Sequence, residues 1–317
     1  MVGTAFGGRA GMVALGLAID RLVGEPPDRL HPVARFGSAM ERLERRLWAD
    51  RRAAGCTYAA VGVGGAVAAG AGCRRLVRDS AALCLAVASC SASKALIDAG
   101  EQVASALASS DLDAARAALP TLVGRDVAGL DEKEIARAVV ESLAENLSDA
   151  VVATALWGLV AGAPGALGHR AANTLDAMVG HRSARHARFG WASARLDDAL
   201  GWPAARLSAL LVAAATPGRA GEIWRIWHAE AGAHPSPNAG VVEGAFAAAL
   251  EITLGGTNRY GGREEVRPSL GDGRPPEPAD IVRAVALVRR VVGVLELALF
   301  AIWALSVAFG RGRGSRR

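Results

Sequence analysis

The sequence predicts an all-α fold, a polytopic membrane bundle of helices joined by long polar loops. Three observations predict it. Apolar residues make up 51% of the 317 residues, and the mean hydropathy is +0.24. Several charge-free apolar runs are bounded by arginines, as is typical of membrane-spanning helices. Period-two alternation of polar and apolar residues, which marks a half-buried strand, is weak throughout.

The positive charge of the chain favours membrane lipids, rather than nucleic acid, as a partner. The formal net charge is +5, and the surplus lies in short blocks beside apolar runs, at 42–52, 74–78 and 311–317. A nucleic-acid binder would carry such a surplus on a polar domain with groove-reading elements. The positive-inside rule places the 74–78 loop and the C-terminal tail in the cytoplasm.

The first half of the chain contains the clearest spanning helix. Residues 53–73 carry no charge and lie between Arg52 and Arg74, and a bilayer core needs roughly 20 apolar residues as a helix. Residues 80–93 continue as a second apolar stretch, so the two predict a helical hairpin. The short apolar run at 10–19 has no small-residue cleavage site after it, so we expect it to be retained.

Later segments predict further helices and polar loops. A helix opens at 130–134 with acidic residues in its first turn, where the helix dipole favours them. It is expected to continue to about Val160 and to break at 163–165. Residues 241–254 and 297–310 are apolar, whereas 234–240 is a proline-rich loop. We expect one membrane-embedded domain over 1–317, with 263–279 as a polar linker or loop. An alanine-rich soluble helical core is the alternative.

Three carboxylates form a stripe on the predicted helix at 130–160. Glu141, Glu145 and Asp149 are spaced i, i+4, i+8 and so share one face. Like charges at this spacing repel, so a cation such as Mg²⁺ or a basic partner would offset the cost. The alternative is a solvated face on which Arg137 pairs with Glu141. We expect Glu145, Asn146 and Asp149 to be functional and Glu141 to be a bystander.

Polar groups recur in the stretch 169–182. His169, Asn173 and Asp176 share a helix face, which indicates a site or, alternatively, ordinary interhelical hydrogen bonding. Several arginines follow, and their guanidinium forks suit phosphate or carboxylate groups; positive-inside charge is the alternative. These arginines are Arg182, Arg185, Arg188 and Arg195. The adjacent Asp197 and Asp198 are candidate metal ligands or partners of Arg195 and Arg206.

Isolated polar residues complete the set of candidates. His31 follows a Pro-Pro turn, where a structural role is the commoner one. Asn238 lies in the rigid loop 234–240, whose backbone N–H groups are able to hold an anion. Asn258 lies between two glycine pairs. The four cysteines form no CxxC pair and fit buried core positions.

Several motifs are absent from the sequence. It has no GxxxxGK[ST], which excludes a standard P-loop for ATP. GxSxG, HExxH and a strand-linked GxGxxG are also absent, which excludes the nucleophile elbow, the zincin helix and the dinucleotide fingerprint.

Taken together, these polar blocks resemble the adenosylcobinamide-phosphate synthases, integral membrane proteins of cobalamin biosynthesis. The blocks follow the family's order over most of the chain. They are DRLVGEPPDRLHPV (20–33), GRDVAGLD (124–131), ESLAENLSDAVVA (141–153), PGALGHRAANTLDAMVGHR (164–182), RFGWASARLDDALGWPAARL (188–207), HPSPNAG (234–240) and LGGTNRYGG (254–262).

The resemblance implies an ATP-consuming ligase that joins the free propionate of adenosylcobyric acid to 1-amino-2-propanol or its phosphate, with Mg²⁺ and ATP required. It implies an inner (cytoplasmic) membrane location, a substrate site facing the cytoplasm, and either other cobalamin-assembly enzymes or a homo-oligomer as partners. A non-catalytic corrinoid-binding membrane partner or a transporter is the alternative.

We assign roles to polar positions within or beside the matching blocks as hypotheses. Glu145 and Asp149 are the expected metal ligands. The expected catalytic residues are Glu145, Asp149, Asp176 and His31. The expected substrate-binding residues are Arg125, Asn146, Arg170, Asn173, His181, Arg182, Arg195, Asn238 and Asn258.

Overall fold

The computed structural model describes residues 2–26, 29, 31–181, 183–260 and 262–314. Helices dominate this part of the chain, which confirms the predicted all-α class. The helices are α1 (Val2–Val23), α2 (Pro32–Leu47), α3 (Arg52–Leu76), α4 (Asp79–Cys90), α5 (Ser93–Ala108), α6 (Leu112–Ala118), α7 (Glu132–Asn146), α8 (Ala153–Ala161), α9 (Ala163–Leu175), α10 (Trp191–Ala215), α11 (Ala220–Ala229), α12 (Ala239–Leu250) and α13 (Pro278–Gly314).

Within the described residues, four helices are long and apolar enough to cross a membrane: Arg52–Leu76, Asp79–Ala108, Glu132–Ala161 and Pro278–Phe309. A fifth is counted if Trp191–Ala215 and Pro217–Ala233, bent by 113°, form one broken span. In α3 only 22% of the apolar window is buried inside the protein. An apolar helix with so much uncovered surface needs an apolar environment around it, and a bilayer supplies one.

The chain divides into two compact units. Unit 1 comprises 1–94, 149–201 and 295–317, and unit 2 comprises 95–148 and 202–294. Three of the four boundaries fall inside α5, α10 and α13, and the fourth falls in the helical turn Leu147–Val152. No linker in the sequence therefore marks them.

Unit 1 packs α3 closely against α9 through glycines. A Cβ placed on Gly70 would lie 2.7 Å from the backbone nitrogen of Pro164, and one on Gly62 would lie 2.9 Å from Leu175. Small residues permit such backbone contact between helices, as in other membrane bundles. This close packing fixes α9, whose C-terminal end carries Asn173.

Asp20 connects α1 to the break between α4 and α5 in unit 1. Its side chain is 1% exposed, and Oδ2 accepts hydrogen bonds from the Ser91 hydroxyl (3.0 Å) and the Ser93 backbone nitrogen (2.7 Å). Charge-assisted hydrogen bonds of this kind offset the cost of burying a carboxylate. The first of the sequence blocks therefore has a structural role at Asp20.

Unit 2 contains a β-hairpin that the sequence does not predict. Strands β1 (Leu254–Tyr260) and β2 (Arg263–Leu270) pair antiparallel, with Thr257 opposite Val266. The predicted linker at 263–279 thus begins with a strand, and α12 ends at Leu250 rather than near 254. Most hairpin side chains are polar and partly exposed, so no apolar alternation reveals the strands.

Two π-helical turns interrupt the long helices, at Leu147–Val152 after α7 and at Asp176–Gly180 after α9. A π turn rotates the following side chains relative to an ideal α-helix and is frequent at functional sites. The first contains Asp149 and the second begins at Asp176. The regular α-helix ends at Asn146, before Asp149. Glu141, Glu145 and Asp149 therefore do not share one face of a regular α-helix, as their i, i+4, i+8 spacing predicted.

Candidate functional site

Two polar clusters are described, one in each unit. The unit 2 cluster comprises Arg125, Arg137, Glu141, Glu145, His234, Glu243, Asn258 and Arg267. The aspartate cluster of unit 1 comprises Asp149, Asn173, Asp176, Asp197 and Asp198.

Glu141 is at the centre of the unit 2 cluster. It is 3% exposed. Arg125 Nη2 donates to its Oε2 (2.6 Å), while Arg137 Nη1 (3.4 Å) and the backbone N–H of Gly255 (2.9 Å) donate to Oε1. The predicted pairing with Arg137 is confirmed, but the expectation that Glu141 lies on a solvated face is wrong. The hairpin supplies the partner that excludes water from this carboxylate.

Asn258 joins the two arginines around Glu141. Its Oδ1 accepts hydrogen bonds from Arg125 Nη1 (2.8 Å) and Arg137 Nη1 (2.9 Å), and the residue is 5% exposed. Arg137 also donates to the carbonyl oxygens of Gly255 and Thr257. Both guanidiniums are therefore held in fixed orientations, because each has several acceptors. The structure brings the predicted residues Arg125 and Asn258 together.

Gly255 has the backbone conformation that this arrangement requires. Its φ of +93° lies in the left-handed region that favours glycine. In this conformation its N–H reaches the Glu141 carboxylate across 114 positions of sequence.

Glu145 lies one turn beyond Glu141 and beside a residue that sequence reasoning missed. Its carboxyl group lies close to that of Glu243, on α12. Burial, followed by the nearby Glu145 and Glu141 carboxylates, raises the pKa of Glu243 well above its usual range. One feature of the sequence distinguishes Glu243, although it is not a periodic one: it is the single charged residue in the apolar segment 239–250.

His234 and Arg267 complete the unit 2 cluster. His234 Nε2 is 3.9 Å from Glu243 Oε1 and accepts a hydrogen bond from Arg267 Nη1 at 2.9 Å. An arginine only donates, so this nitrogen carries no proton. Burial, and then the charge of Arg267, lower the pKa of His234. The histidine is therefore neutral near pH 7.

Asn173 organises the aspartate cluster. Its side-chain amide donates to Asp149 Oδ2 (3.5 Å) and hydrogen-bonds to Asp197. Asp197 also has a buried oxygen, Oδ1, without a hydrogen-bond partner. The structure thus brings three predicted residues, Asp149, Asn173 and Asp176, to one cluster with Asp197.

Asp176 is electrostatically strained within this cluster. Burial, and then the carboxylate of Asp198, raise the pKa of Asp176 to about 6. Asp198 pairs with the exposed Arg195 (3.5 Å), which places Arg195 at the edge of the cluster. The predicted Asp198–Arg195 pair is present.

Arg170 lies between the aspartate cluster and an apolar cavity. Its Nη1 donates to Asn173 Oδ1 (3.4 Å), and its buried Nε has no hydrogen-bond partner. The cavity, about 460 Å³ in volume, is lined by Arg170 together with apolar residues such as Phe36 and Leu167. A buried cation with a spare donor beside a cavity is suited to an anionic or carbonyl group of a ligand.

The remaining candidates have local partners. Asn146 donates to Ser142 on its own helix, and Asn238 Oδ1 accepts from Arg206 Nη1 (3.0 Å). His31 caps α2 by accepting from the backbone nitrogen of Val33, which is the structural role. His181 is 3.3 Å from His186. Arg182 lies outside the described residues.

No group of three or more histidine, cysteine, aspartate or glutamate side chains in the described part of the chain is arranged to hold a metal ion. The proposed metal role of Glu145 and Asp149 stays a prediction. Glu145 lies close to Glu243, whereas Asp149 accepts a hydrogen bond from Asn173, so the two carboxylates have different neighbours.

Comparison with known proteins identifies the family. The family model described as CobD/Cbib protein matches residues 13–288. The chain is 44% identical over 302 residues to "Cobalamin biosynthesis protein CobD" of Mycobacterium tuberculosis strain H37Rv, covering 93% of this chain and 96% of the relative. Identity to the protein of the same name is 42% over 290 residues in Chromobacterium violaceum (87% and 91% covered) and 40% over 297 residues in Geobacter metallireducens (90% and 93% covered).

No solved structure matches the chain. The family model covers most of the sequence, and the relatives match over nearly their whole lengths. The chain belongs to the CobD/Cbib family.

Proposed function

We propose that this protein is a multi-pass membrane enzyme of cobalamin biosynthesis that forms an amide bond. The bond joins the free propionate of adenosylcobyric acid to the amino group of 1-amino-2-propanol or its O-phosphate. Family membership, and relatives named for cobalamin biosynthesis, support the pathway. The single structural observation that favours this chemistry is a cluster of carboxyl groups beside fixed guanidiniums in unit 2, in which Glu141 and Glu243 are buried.

Amide formation makes two demands on the protein. A carboxylate is a poor electrophile, so the propionate must be activated, and ATP is the activating co-substrate in this proposal. The amine arrives as an ammonium ion and must lose a proton before its nitrogen attacks. The first demand requires groups that hold anions, and the second requires a proton acceptor.

The aspartate cluster is suited to Mg²⁺ accompanying a nucleotide. Mg²⁺ in nucleotide sites takes one or two carboxylates and completes its shell with water and phosphate oxygens. The unpartnered buried oxygen of Asp197, with Asp176 close by, offers such ligands. We therefore propose that one or two carboxylates of this cluster, from Asp149, Asp176 and Asp197, would hold the ion, and the metal role of Glu145 stays a prediction. Mg²⁺ would neutralise phosphate oxygens at this cluster.

The arginines differ in the roles that we propose for them. Arg125 is committed to Glu141 and Asn258, so it holds the unit 2 cluster in place. Arg170 keeps a spare Nε donor beside a cavity and is the better candidate for contact with a substrate carboxamide or carboxylate. Arg182 and Arg195 stay candidates for phosphate contact.

The proposed location is the inner membrane, with the substrate site facing the cytoplasm, where ATP is available. The arginine-rich segment 74–78 at the C-terminal end of α3 supports this orientation by the positive-inside rule. Labelling a single cysteine introduced at Arg78 tests it: a membrane-impermeant thiol reagent should react in inverted vesicles and not in intact cells. The native cysteines, of which Cys56 and Cys73 are exposed, are replaced by alanine first.

Reconstitution tests the activity. The purified protein in lipid nanodiscs is incubated with adenosylcobyric acid, aminopropanol phosphate and Mg·ATP, and products are identified by mass spectrometry. We expect adenosylcobinamide phosphate that depends on ATP, and loss of product in Asp197→Asn. Corrinoid flux into proteoliposomes without amide product would instead support a transporter.

A further inference from the structure

The apolar cavity beside Arg170 lies wholly within unit 1, between α2, α3, α4 and α9. Its volume of about 460 Å³ falls in the range of small-molecule sites, about 300–1,000 Å³. Almost all of its surface is apolar, and Arg170 is the single charged residue among the described residues that line it. An occupant therefore needs a long apolar part and, at one place, a group that accepts hydrogen bonds from a guanidinium.

The positive charge of Arg170 has no counter-ion within the described residues. Its Nη1 donates to the neutral amide of Asn173 across 3.4 Å, and its buried Nε has no hydrogen-bond partner. An arginine stays charged at every physiological pH. Taking such a charge out of water without a partner is costly, so the site favours an anion.

Arg170 lies at the polar end of an apolar stretch. Residues 150–169 contain no aspartate, glutamate, lysine or arginine, and Arg170 is the first charged residue after them. A basic residue that ends an apolar membrane segment is typical of the boundary between hydrocarbon and head groups. Ser89 and Thr174 also line the cavity, whereas Leu76 and Leu85 lie elsewhere on it. The lining therefore includes both polar and purely apolar parts.

The length of the cavity matches one leaflet of a bilayer. The glycine contacts between α3 and α9 show that these helices run antiparallel, which places Arg170 near the level of Ala66. The lining of α3 continues from Ala66 to Leu76, a rise of about 15 Å along the helix. A hydrocarbon core of about 30 Å gives about 15 Å for each leaflet. One acyl chain therefore fits along the cavity.

The cavity is open to the surroundings of the helices through its apolar part. Leu76 is 86% exposed and Leu85 is 61% exposed, and both line the cavity. They belong to α3 and α4, which lie in two of the apolar helices long enough to cross a membrane. Apolar side chains this exposed on spanning helices contact lipid. An acyl chain is therefore able to enter from the bilayer.

We propose that this cavity binds one anionic phospholipid, with an acyl chain along α3 and the phosphate on Arg170. A guanidinium suits a phosphate because its planar fork offers parallel N–H donors to two oxygens. Basic pockets between membrane helices hold lipid head groups in this way. A zwitterionic head group also carries a cation, for which the described lining offers no carboxylate. The site therefore selects lipids of net negative charge.

Native mass spectrometry of the full chain tests the binding. The protein is released from nanodiscs that contain equal amounts of phosphatidylglycerol and phosphatidylcholine. Corrinoid is omitted, because a substrate group at Arg170 would compete with the phosphate. We expect one retained phosphatidylglycerol per wild-type chain, and retention weakened by roughly tenfold to a hundredfold in Arg170→Gln, the loss of a charge-assisted contact. Equal retention of the two lipids by the wild type overturns the proposal.

A matched pair of substitutions tests the acyl-chain part of the site. Ala69 lines the cavity whereas the neighbouring Ala68 does not, and both are exposed on α3. Ala69→Phe should fill the cavity and abolish the retained lipid, while Ala68→Phe should retain it as the wild type does. Arg289→Gln, at a half-exposed pair with Glu101, is the charge control and should also retain it. Equal retention by the two phenylalanine variants overturns the proposal.

A competition experiment on the wild type in detergent micelles does not depend on the folding of any variant. Dodecyl phosphate carries the anionic group on one apolar chain, and inorganic phosphate carries the group alone. Dodecyl phosphate should displace the retained phosphatidylglycerol, whereas inorganic phosphate at the same concentration should not. Displacement by inorganic phosphate would show a simple anion site, and this result overturns the proposal, as does retention of the lipid in excess dodecyl phosphate.

Discussion

The two polar clusters gather carboxylates in opposite electrostatic environments. In unit 2, Glu141 is enclosed by two guanidiniums and a backbone N–H. In the aspartate cluster of unit 1, Asp197 lies near the carboxylates of Asp176 and Asp198, and the exposed Arg195 pairs with Asp198. Removal of the negative charge of Glu141 should therefore destabilise the first cluster, whereas removal of an aspartate charge should stabilise the second.

The largest effect is expected at Glu141. Glu141→Gln leaves the largely buried Arg125 and Arg137 without the carboxylate that they share, and breaking a buried pair costs about 3–5 kcal/mol. The unfolding free energy in mixed micelles measures this. Glu101→Gln, at an exposed pair, should cost about 1 kcal/mol or less. A loss at Glu141 no larger than at Glu101 would contradict the description of unit 2.

Asp176→Asn should raise the unfolding free energy at neutral pH, in contrast to Glu141→Gln. The pKa of Asp176 is raised to about 6 from 3.8, so the folded protein binds this proton more tightly than the unfolded chain. Stability from this group therefore falls as pH rises from about 4 to 6, and the ionised form destabilises above that range. Asn cannot ionise, so the variant should be about 1–3 kcal/mol more stable than wild type at pH 8.

At pH 4 this advantage of Asp176→Asn should disappear. Unfolding measured at pH 4, 6 and 8 checks the trend, with Glu264→Gln as a control that carries the same charge change. A variant less stable than wild type at pH 8 would break the comparison. A variant that is more stable yet makes less amide would indicate that the charge serves function, the usual trade-off at active sites.

A smaller effect is expected at Asn173. Asn173→Ala removes the amide that donates to Asp149 and Asp197, and one net hydrogen bond contributes about 1 kcal/mol. Under the proposed function, activity should fall more than stability, because the aspartates lose their shared donor. If Asn173→Ala loses about 1 kcal/mol of unfolding free energy but keeps its activity, Asn173 has a structural role only.

The smallest effect is expected at the hairpin surface. Glu264 pairs with Arg259, and both side chains are more than half exposed. Glu264→Gln should change the unfolding free energy by about 0.5 kcal/mol or less and leave product formation unchanged. A large loss of unfolding free energy in Glu264→Gln would show that the contribution of a charged side chain to stability does not depend on its burial in this protein.

Sequence reasoning located the helices better than the contacts. The helix predicted at 53–73 is confirmed in α3, and the acids at 131–134 form a capping box through Asp131 and Glu134 at the start of α7. The hairpin was missed because its polar strands show no apolar period. Glu243 was missed because one acid in an apolar run carries no periodic signal.

The sequence by itself determined the all-α class, the apolar spans and the residues that share a helix face. These depend on local composition and on the 3.6-residue period, which need no knowledge of distant segments. Only the tertiary structure decided which carboxylates are buried away from water and which protein groups replace their hydrogen bonds to water. Glu141 is buried because Arg125 and the hairpin meet it from other parts of the chain, and desolvation depends on what packs against a face, not on the face alone.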